Sequence, residues 1–429
     1  MKTIAVRLYG KNDLRLESFE LPAIKDDEIL AKIYSDSICM SSYKAAIQGA
    51  DHKRIPDDVE DNPIILGHEF CGELIEVGAK WQNQFAPGDK YVVQPALNDP
   101  KDPYAAPGYS FQYVGGNATY VVLPAVVMEQ NCLLKYTGEA YYYGSLTEPM
   151  SCIIGGFNVN YHTKIGSYEH IMGMKQGGNM ASLAGVGPMG LGAIELAIHG
   201  PHRPGLLVVT DIDEARLRRA ATLLTIEEAK SNGVELHYVN TSGIKDVVAH
   251  LRGLTKDDHG YDDVYVFAPV RQVVEEGDKL LAFDGCMNFF AGPTNTEFAA
   301  NLNFYNVHYN GTHIAANSGG NANDMEITVD LMSKGQINPT AMLTHIGGLD
   351  CAIETTLNLP QIPGGKKLLY THISLPLTAI SNMKKLGETD PLMRALDEIV
   401  ERHNGLWSVE AERYLLDNAT PIEEVVEHV

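Results

Sequence analysis

The sequence predicts an α/β protein built in two parts, a β-rich part followed by a doubly wound parallel sheet. Three observations predict it. Up to about residue 150, short β-branched and aromatic runs are separated by turn residues such as Ala86-Pro87-Gly88-Asp89. Beyond that point short, continuously apolar runs alternate with helical periodicity, the pattern of parallel strands joined by helices. Early in the second part, Gly185-Val186-Gly187-Pro188-Met189-Gly190 has the form G-x-G-x-x-G between an expected strand and an expected helix.

In the first part, strands are expected at residues 2–8, 29–34, 72–77, 90–94 and 118–123. Two long loops, residues 49–62 and 98–116, interrupt them, and loops of such length more often serve function than core. In the second part, strands are expected at 179–184, 206–210, 235–239, 263–267 and 286–290, with helices at 188–199 and 214–229. A helix at 324–334, stopped by Gly335, and a strand at 368–370 after the basic turn Pro363-Gly364-Gly365-Lys366-Lys367 follow. The last segment, residues 382–429, is charged and helical.

Composition narrows the function. The chain has 429 residues, enough for two or three domains, and its 45% hydrophobic and 21% charged content is that of a globular protein. A formal charge of -22 argues against a nucleic-acid surface and against docking on anionic membranes. No uncharged apolar run is long enough to span a bilayer, and residues 1–7 hold no signal-peptide core. The six cysteines are scattered without paired spacing, so the expectation is a cytoplasmic protein with free thiols.

The glycines of residues 185–190 permit a tight turn and a close approach of backbone to a pyrophosphate, whose charge the following helix N-terminus favours. Asp211 ends the next apolar strand, 21 residues past Gly190, where a carboxylate can bond the adenosine ribose hydroxyls and repel a 2′-phosphate. NAD(H) is therefore favoured. NADP(H) is not excluded, because Arg216, Arg218 and Arg219 are close in sequence.

A mixed ligand set accompanies this motif. Cys39 lies in Ser37-Ile38-Cys39-Met40-Ser41, His68 and Glu69 in Gly67-His68-Glu69-Phe70-Cys71-Gly72, and Glu148 in Thr147-Glu148-Pro149-Met150. Taken singly, each has an ordinary structural explanation. Taken together, a thiolate, an imidazole and carboxylates form a set suited to zinc with an open coordination position.

These segments, with Pro87-Gly88-Asp89-Lys90, Gly115-Gly116-Asn117-Ala118-Thr119-Tyr120 and the glycine motif, resemble the zinc-dependent medium-chain alcohol and polyol dehydrogenases over about residues 1–380. The likeness is strongest to the bacterial L-sorbose 1-phosphate reductases, through residues 160–168, 183–190, 210–216, 317–324 and 363–367. The resemblance implies a GroES-like catalytic domain at 1–155 and 320–381, a Rossmann NAD-binding domain at 156–319, and the helical extension at 382–429. It implies reduction of L-sorbose 1-phosphate to D-glucitol 6-phosphate by hydride from the nicotinamide cofactor. Another polyol, sugar-phosphate or alcohol dehydrogenase activity, or a silent NAD(H)-binding protein, is the alternative. Cys39, His68 and Glu148 resemble the catalytic zinc ligands. Glu69 resembles a carboxylate that binds or releases the metal during turnover, and Ser41 the hydroxyl of the proton relay. A sugar-phosphate or polyol substrate and a homo-oligomer, dimer or tetramer, are the partners implied.

The chain departs from the family pattern in three places. Met40 and Ser42 replace a glycine and an aspartate common after the ligand cysteine, and Lys44 stands where polyol dehydrogenases often carry a relay histidine. Lys44 is accordingly a candidate to attract a substrate phosphate as a point charge. No cysteine lies between Cys71 and Cys132, so the family's four-cysteine structural zinc lobe is missing and one zinc per chain is expected.

Overall fold

The computed structural model describes residues 1–423, so the last six residues of the expected extension lie outside the described residues. The chain divides into two compact units. One comprises Met1–Glu148, Asn321–Val329 and Leu343–Val429, and the other Pro149–Gly320 and Asp330–Met342.

The second unit is organised by a six-stranded sheet. Its order is Glu235–Asn240, Leu206–Asp211, Asn179–Leu183, Tyr261–Val266, Leu281–Phe289 and His313–Ala315, every neighbouring pair parallel. Leu206–Asp211 and Tyr261–Val266 are buried at every position. That burial is why 206–210 reads as a continuous apolar run rather than an alternating one. Chain order reverses beside Asn179–Leu183, and the glycine motif follows directly from that strand at the topological switch point. This is the doubly wound sheet the alternation predicted. One helix differs. The periodicity of 214–229 predicts a single helix, but the backbone breaks at Leu224 (φ -124°, ψ 85°). Thr225 then starts a new helix, Ile226–Ser231, its side chain accepting from Glu228 N. Thr225 competes for the backbone as an N-cap, which apolar spacing does not register.

The first unit is built on an eight-stranded sheet. Its central strand, Ile29–Ile38, pairs antiparallel with Phe70–Val77, Tyr120–Leu123 and Lys366–Tyr370. In that register Asp36 faces Phe70, and Ile38 faces Lys367. Residues more than 290 apart in sequence therefore meet at one end of the sheet. A separate hairpin, Lys2–Gly10 with Asp13–Glu20, covers another core with Ile64–Ile65. Asp13–Glu20 and the sheet strand Leu343–Gly348 carry no strong sequence signal and are additions to the expected elements.

The C-terminal helices belong to the core of the first unit. Asp390 caps Pro391–Arg402, accepting from Leu392 N and Met393 N, and Pro391 sits at the first turn. Met393, Leu396, Ile399 and Val400 then face Ile346, Leu368 and Tyr370 at helical spacing. Ser408 caps Val409–Asn418, which carries the buried Glu412. The Glu412 carboxylate accepts from Tyr141 N at 2.7 Å, Tyr142 N at 2.8 Å and the Tyr370 hydroxyl at 3.0 Å. The first two are N-terminal amides of the helix Tyr141–Ser145, which has no side-chain cap of its own. The extension thus supplies, from 270 residues away, the acceptor those amides need. Glu412→Ala is expected to cost about 2–3 kcal/mol of stability, because two buried N–H groups lose a charged acceptor. A chemical unfolding curve with an unshifted midpoint would refute this role.

Candidate active site

Four segments of the first unit converge at the sheet end. Cys39 stands at the N-cap of the helix Met40–Gln48, where the helix N-terminus favours a thiolate. His68 and Glu69 lie in the turn between Ile64–Ile65 and Phe70–Val77. A sulfur of Cys39, a ring nitrogen of His68 and a carboxylate oxygen of Glu69 lie within 4.8 Å of one another. Glu148, at the start of Thr147–Val159, is buried beside them but outside this closest group. Burial, and then the charge of Glu69, push its carboxyl up to about 7.

Small polar groups orient the ligand candidates. Ser41 Oγ donates to Cys39 Sγ at 3.0 Å and lies 3.3 Å from His68 Nε2. The Tyr109 hydroxyl is also 3.3 Å from Nε2. Ser42 Oγ is 3.3 Å from His68 Nδ1. Ser42 thus holds one ring nitrogen, while the other meets Ser41, the hydroxyl bonded to Cys39, the kind of second contact that fixes a ligand imidazole. Burial and the neighbouring Glu69 push the Cys39 thiol above its ordinary value, so binding a cation here displaces a proton. A half-buried thiol with a buried imidazole and buried carboxylates fits zinc.

Glu69 has a partner that sequence reasoning missed. Lys366 Nζ donates to both carboxylate oxygens, at 2.5 and 2.6 Å, with both side chains buried. Burial works against the ammonium charge, but Glu69 and then Cys39 outweigh it and hold Lys366 above its ordinary value. The basic turn 363–367 was visible as charge; only strand pairing aims Lys366 at Glu69.

Asp36 was also not legible. It is buried on Ile29–Ile38 and accepts from Glu69 N at 3.0 Å and from Asn117 Nδ2. A Cβ on Gly116 would sit 2.2 Å from Asp36 Oδ1, and one on Gly67, whose φ is +94°, 2.2 Å from Oδ2. Two of the motif glycines therefore make room for a carboxylate that locks the His68-Glu69 turn to the sheet. Burial pushes that carboxyl up to about 8.

Lys44 lies on Met40–Gln48, half-buried, and its charge reaches His52 in the loop 49–62. The other long loop, 98–116, is not merely a surface excursion: Ala105, Ala106, Tyr109 and Val114 are buried in it.

In the second unit the glycine motif has the sterics expected of a dinucleotide turn. Gly185 N donates to Thr210 O at 2.8 Å, and a Cβ on Gly190 would meet Gly185 O at 2.2 Å. Val186 is buried, Gly187 is the N-cap of Pro188–His199, and Pro188 and Met189 begin that helix. Asp211 ends its strand, with Oδ1 accepting from Ile212 N and Asp213 N. Asp213 caps the next helix. The Arg216 guanidinium lies 3.4 Å from where a Gly187 Cβ would stand, beside the turn itself.

Comparison with known proteins bears on both units. Residues 25–131 match the alcohol dehydrogenase GroES-like domain, and residues 188–334 match the zinc-binding dehydrogenase family. The chain is 51% identical over 416 residues to mannitol-1-phosphate 5-dehydrogenase of Aliivibrio fischeri, covering 97% of this chain and 98% of that one. It is 50% identical over 421 residues to L-sorbose 1-phosphate reductase of Klebsiella pneumoniae, covering 98% of each. The fold matches 2R,3R-butanediol dehydrogenase from Bacillus subtilis with a TM-score of 0.68 at 21% identity, over 86% of this chain and 99% of that one. Full-length identity near one half, the two matched domains and the expected mixed α/β architecture carry the same conclusion: the chain belongs to the zinc-dependent medium-chain alcohol and polyol dehydrogenases, oxidoreductases acting on CH–OH groups.

Proposed function

We propose that this protein reduces L-sorbose 1-phosphate to D-glucitol 6-phosphate, using zinc at Cys39, His68 and Glu148 and hydride from NADH. The observation that carries the reading is the Cys39–His68–Glu69 group, with His68 and Glu69 buried and Cys39 half-buried, in a chain half identical to an L-sorbose 1-phosphate reductase. Bound zinc supplies Lewis acidity at the carbonyl oxygen, and the nicotinamide supplies hydride. The chain's own residues orient and deliver the proton. Ser41 Oγ, bonded to Cys39 and next to His68, is placed to hand a proton to the oxygen formed. Lys366 holds Glu69 to one side, so that Glu69 is a ligand only when that pair opens. The glycine turn cradles the pyrophosphate, and Asp211 favours NADH over NADPH, with Arg216 beside the turn tempering the preference.

A second reading has its own support. A relative 51% identical is named mannitol-1-phosphate 5-dehydrogenase, which points to a different hexitol phosphate. A screen of ketose and hexitol phosphates with NADH and NADPH, with zinc quantified on the same sample, separates the readings. The expected result is the highest kcat/KM with L-sorbose 1-phosphate and NADH, and zinc near one per chain. Preferential oxidation of mannitol 1-phosphate would establish the second reading, and zinc near two per chain would overturn the single-site expectation.

A further inference from the structure

In a chain of net charge -22, an anionic substrate needs local positive charge close to the reacting centre. The segment His52-Lys53-Arg54 supplies it. Its backbone is pinned: Ser110 Oγ donates to Arg54 O at 2.8 Å, Ile55 N donates to His52 O at 2.9 Å, and Ile55 is buried. The side chains are arrayed on the aromatic rings of the other long loop. His52 stacks on Tyr109 with centroids 5.8 Å apart, and the Arg54 guanidinium lies 5.8 Å from the same ring. Lys53 lies 5.4 Å from the Tyr104 ring. Tyr109 in turn is 4.8 Å from the His68 ring and 3.3 Å from its Nε2. Two successive contacts, of 4.8 and 5.8 Å, therefore lead from the candidate zinc ligand to Arg54.

The two cations are not spent on structure. Among the described residues no carboxylate lies within ion-pair distance of Lys53 or Arg54, and the adjacent Asp51 is taken by Lys11. Arg54 uses Nη1 on Tyr104 O at 3.2 Å; its Nε and Nη2 make no hydrogen bond among the described residues. That leaves one edge of the guanidinium fork for an oxyanion, which such a fork can grip with two parallel bonds. Burial, and then Arg54, Lys53 and Lys44, hold the His52 imidazole below its ordinary value, so three cations converge on this spot.

We infer that Arg54, with Lys53 beside it, forms the subsite that receives the substrate's phosphate; this rests on the sugar-phosphate reading of the zinc site. The span required is short: in L-sorbose 1-phosphate the phosphorus stands about 4 Å from the carbonyl carbon, given bond lengths near 1.5 Å, and the metal-bound oxygen and the phosphate oxygens extend it on either side. The subsite also gives the Lys44 charge a place, as a third and more distant contributor.

The test uses the full-length zinc-loaded enzyme and the variants R54Q, K53Q and R54K. L-sorbose 1-phosphate is the substrate, inorganic phosphate the competitive inhibitor, and unphosphorylated D-glucitol the control. R54Q is expected to raise KM for the sugar phosphate, and the inhibition constant of inorganic phosphate, by about tenfold or more. Its kcat and its kcat/KM for D-glucitol are expected to stay within about twofold of the wild type, the difference that separates lost anion binding from lost chemistry. K53Q, at an exposed position, shows a smaller rise, and R54K recovers part of the loss. A wild-type enzyme that prefers the phosphorylated sugar, with KM and phosphate inhibition unchanged in R54Q at normal zinc content and melting temperature, overturns the subsite alone. A wild-type enzyme with no preference for a phosphorylated substrate removes the substrate reading and the subsite with it.

Discussion

Cys39→Ser is expected to lower turnover by about a thousandfold or more while leaving NADH binding intact. A hydroxyl is a far poorer zinc ligand than a thiolate, so the variant loses metal or holds it in altered geometry. Lewis-acid stabilisation is worth several kcal/mol, and about 4 kcal/mol is a factor of about a thousand in rate. The glycine turn belongs to the other unit and rests on its own contacts, Gly185 on Thr210 and Gly190 on Gly185, none of which involves Cys39. Zinc content, turnover and NADH fluorescence titration on one sample check all three statements. Full activity in a sample stripped of metal would defeat the zinc scheme, and loss of NADH binding would indicate a folding defect instead.

Lys366→Met is expected to cost about 3–5 kcal/mol, because it strands a buried carboxylate without its countercharge. Glu69 is 1% exposed and Lys366 5%, so water cannot replace the lost partner. Met roughly matches the volume of the lysine stem, which separates the charge effect from a packing defect. The double variant Lys366→Met with Glu69→Leu is expected to regain most of the stability, since an apolar pair in a dry site compares well with an ion pair. Melting temperatures of the wild type, both single variants and the double variant form the cycle that measures this coupling. Four equal melting temperatures would mean that the pair is hydrated in solution. With its clamp gone, Glu69 is free to act as a permanent ligand. Tighter zinc retention against a chelator in Lys366→Met, measured on the folded fraction, is the second expected result.

Much of the second unit was legible because parallel strands buried on both faces must be apolar at every position. The run 206–210 carries that signature and Leu206–Asp211 is buried throughout, whereas Tyr261–Val266 is equally buried but contains Asp262 and Asp263, whose carboxylates are taken up by Lys175 and Asn160. The helix after the glycine turn agrees at both ends, Pro188–His199, because proline starts it and Gly200 stops it. Legibility failed where a local polar contact overrode periodicity, as at Thr225, and where small and polar residues dilute a strand, as in Leu343-Thr344-His345-Ile346-Gly347-Gly348. Among the site residues, Cys39, His68 and Glu69 could be named from residue chemistry and motif, and the structure groups them. Glu148 was named the same way and stands just outside the closest group.

The sequence alone determined which chemistry the chain carries: soft and borderline metal donors, a hydroxyl near them, a pyrophosphate turn, and an acidic residue ending the next strand. These are local properties of residue type and spacing. The tertiary structure alone decided which partners those donors meet. Asp36 locks the His68-Glu69 turn from another strand, Lys366 pairs with Glu69 from 297 residues away, and Glu412 caps a helix near Glu148 from the C-terminal extension. Each is a buried polar group satisfied by a partner distant in sequence. A one-dimensional pattern records that an ionisable group exists; only strand register and burial determine which group partners it.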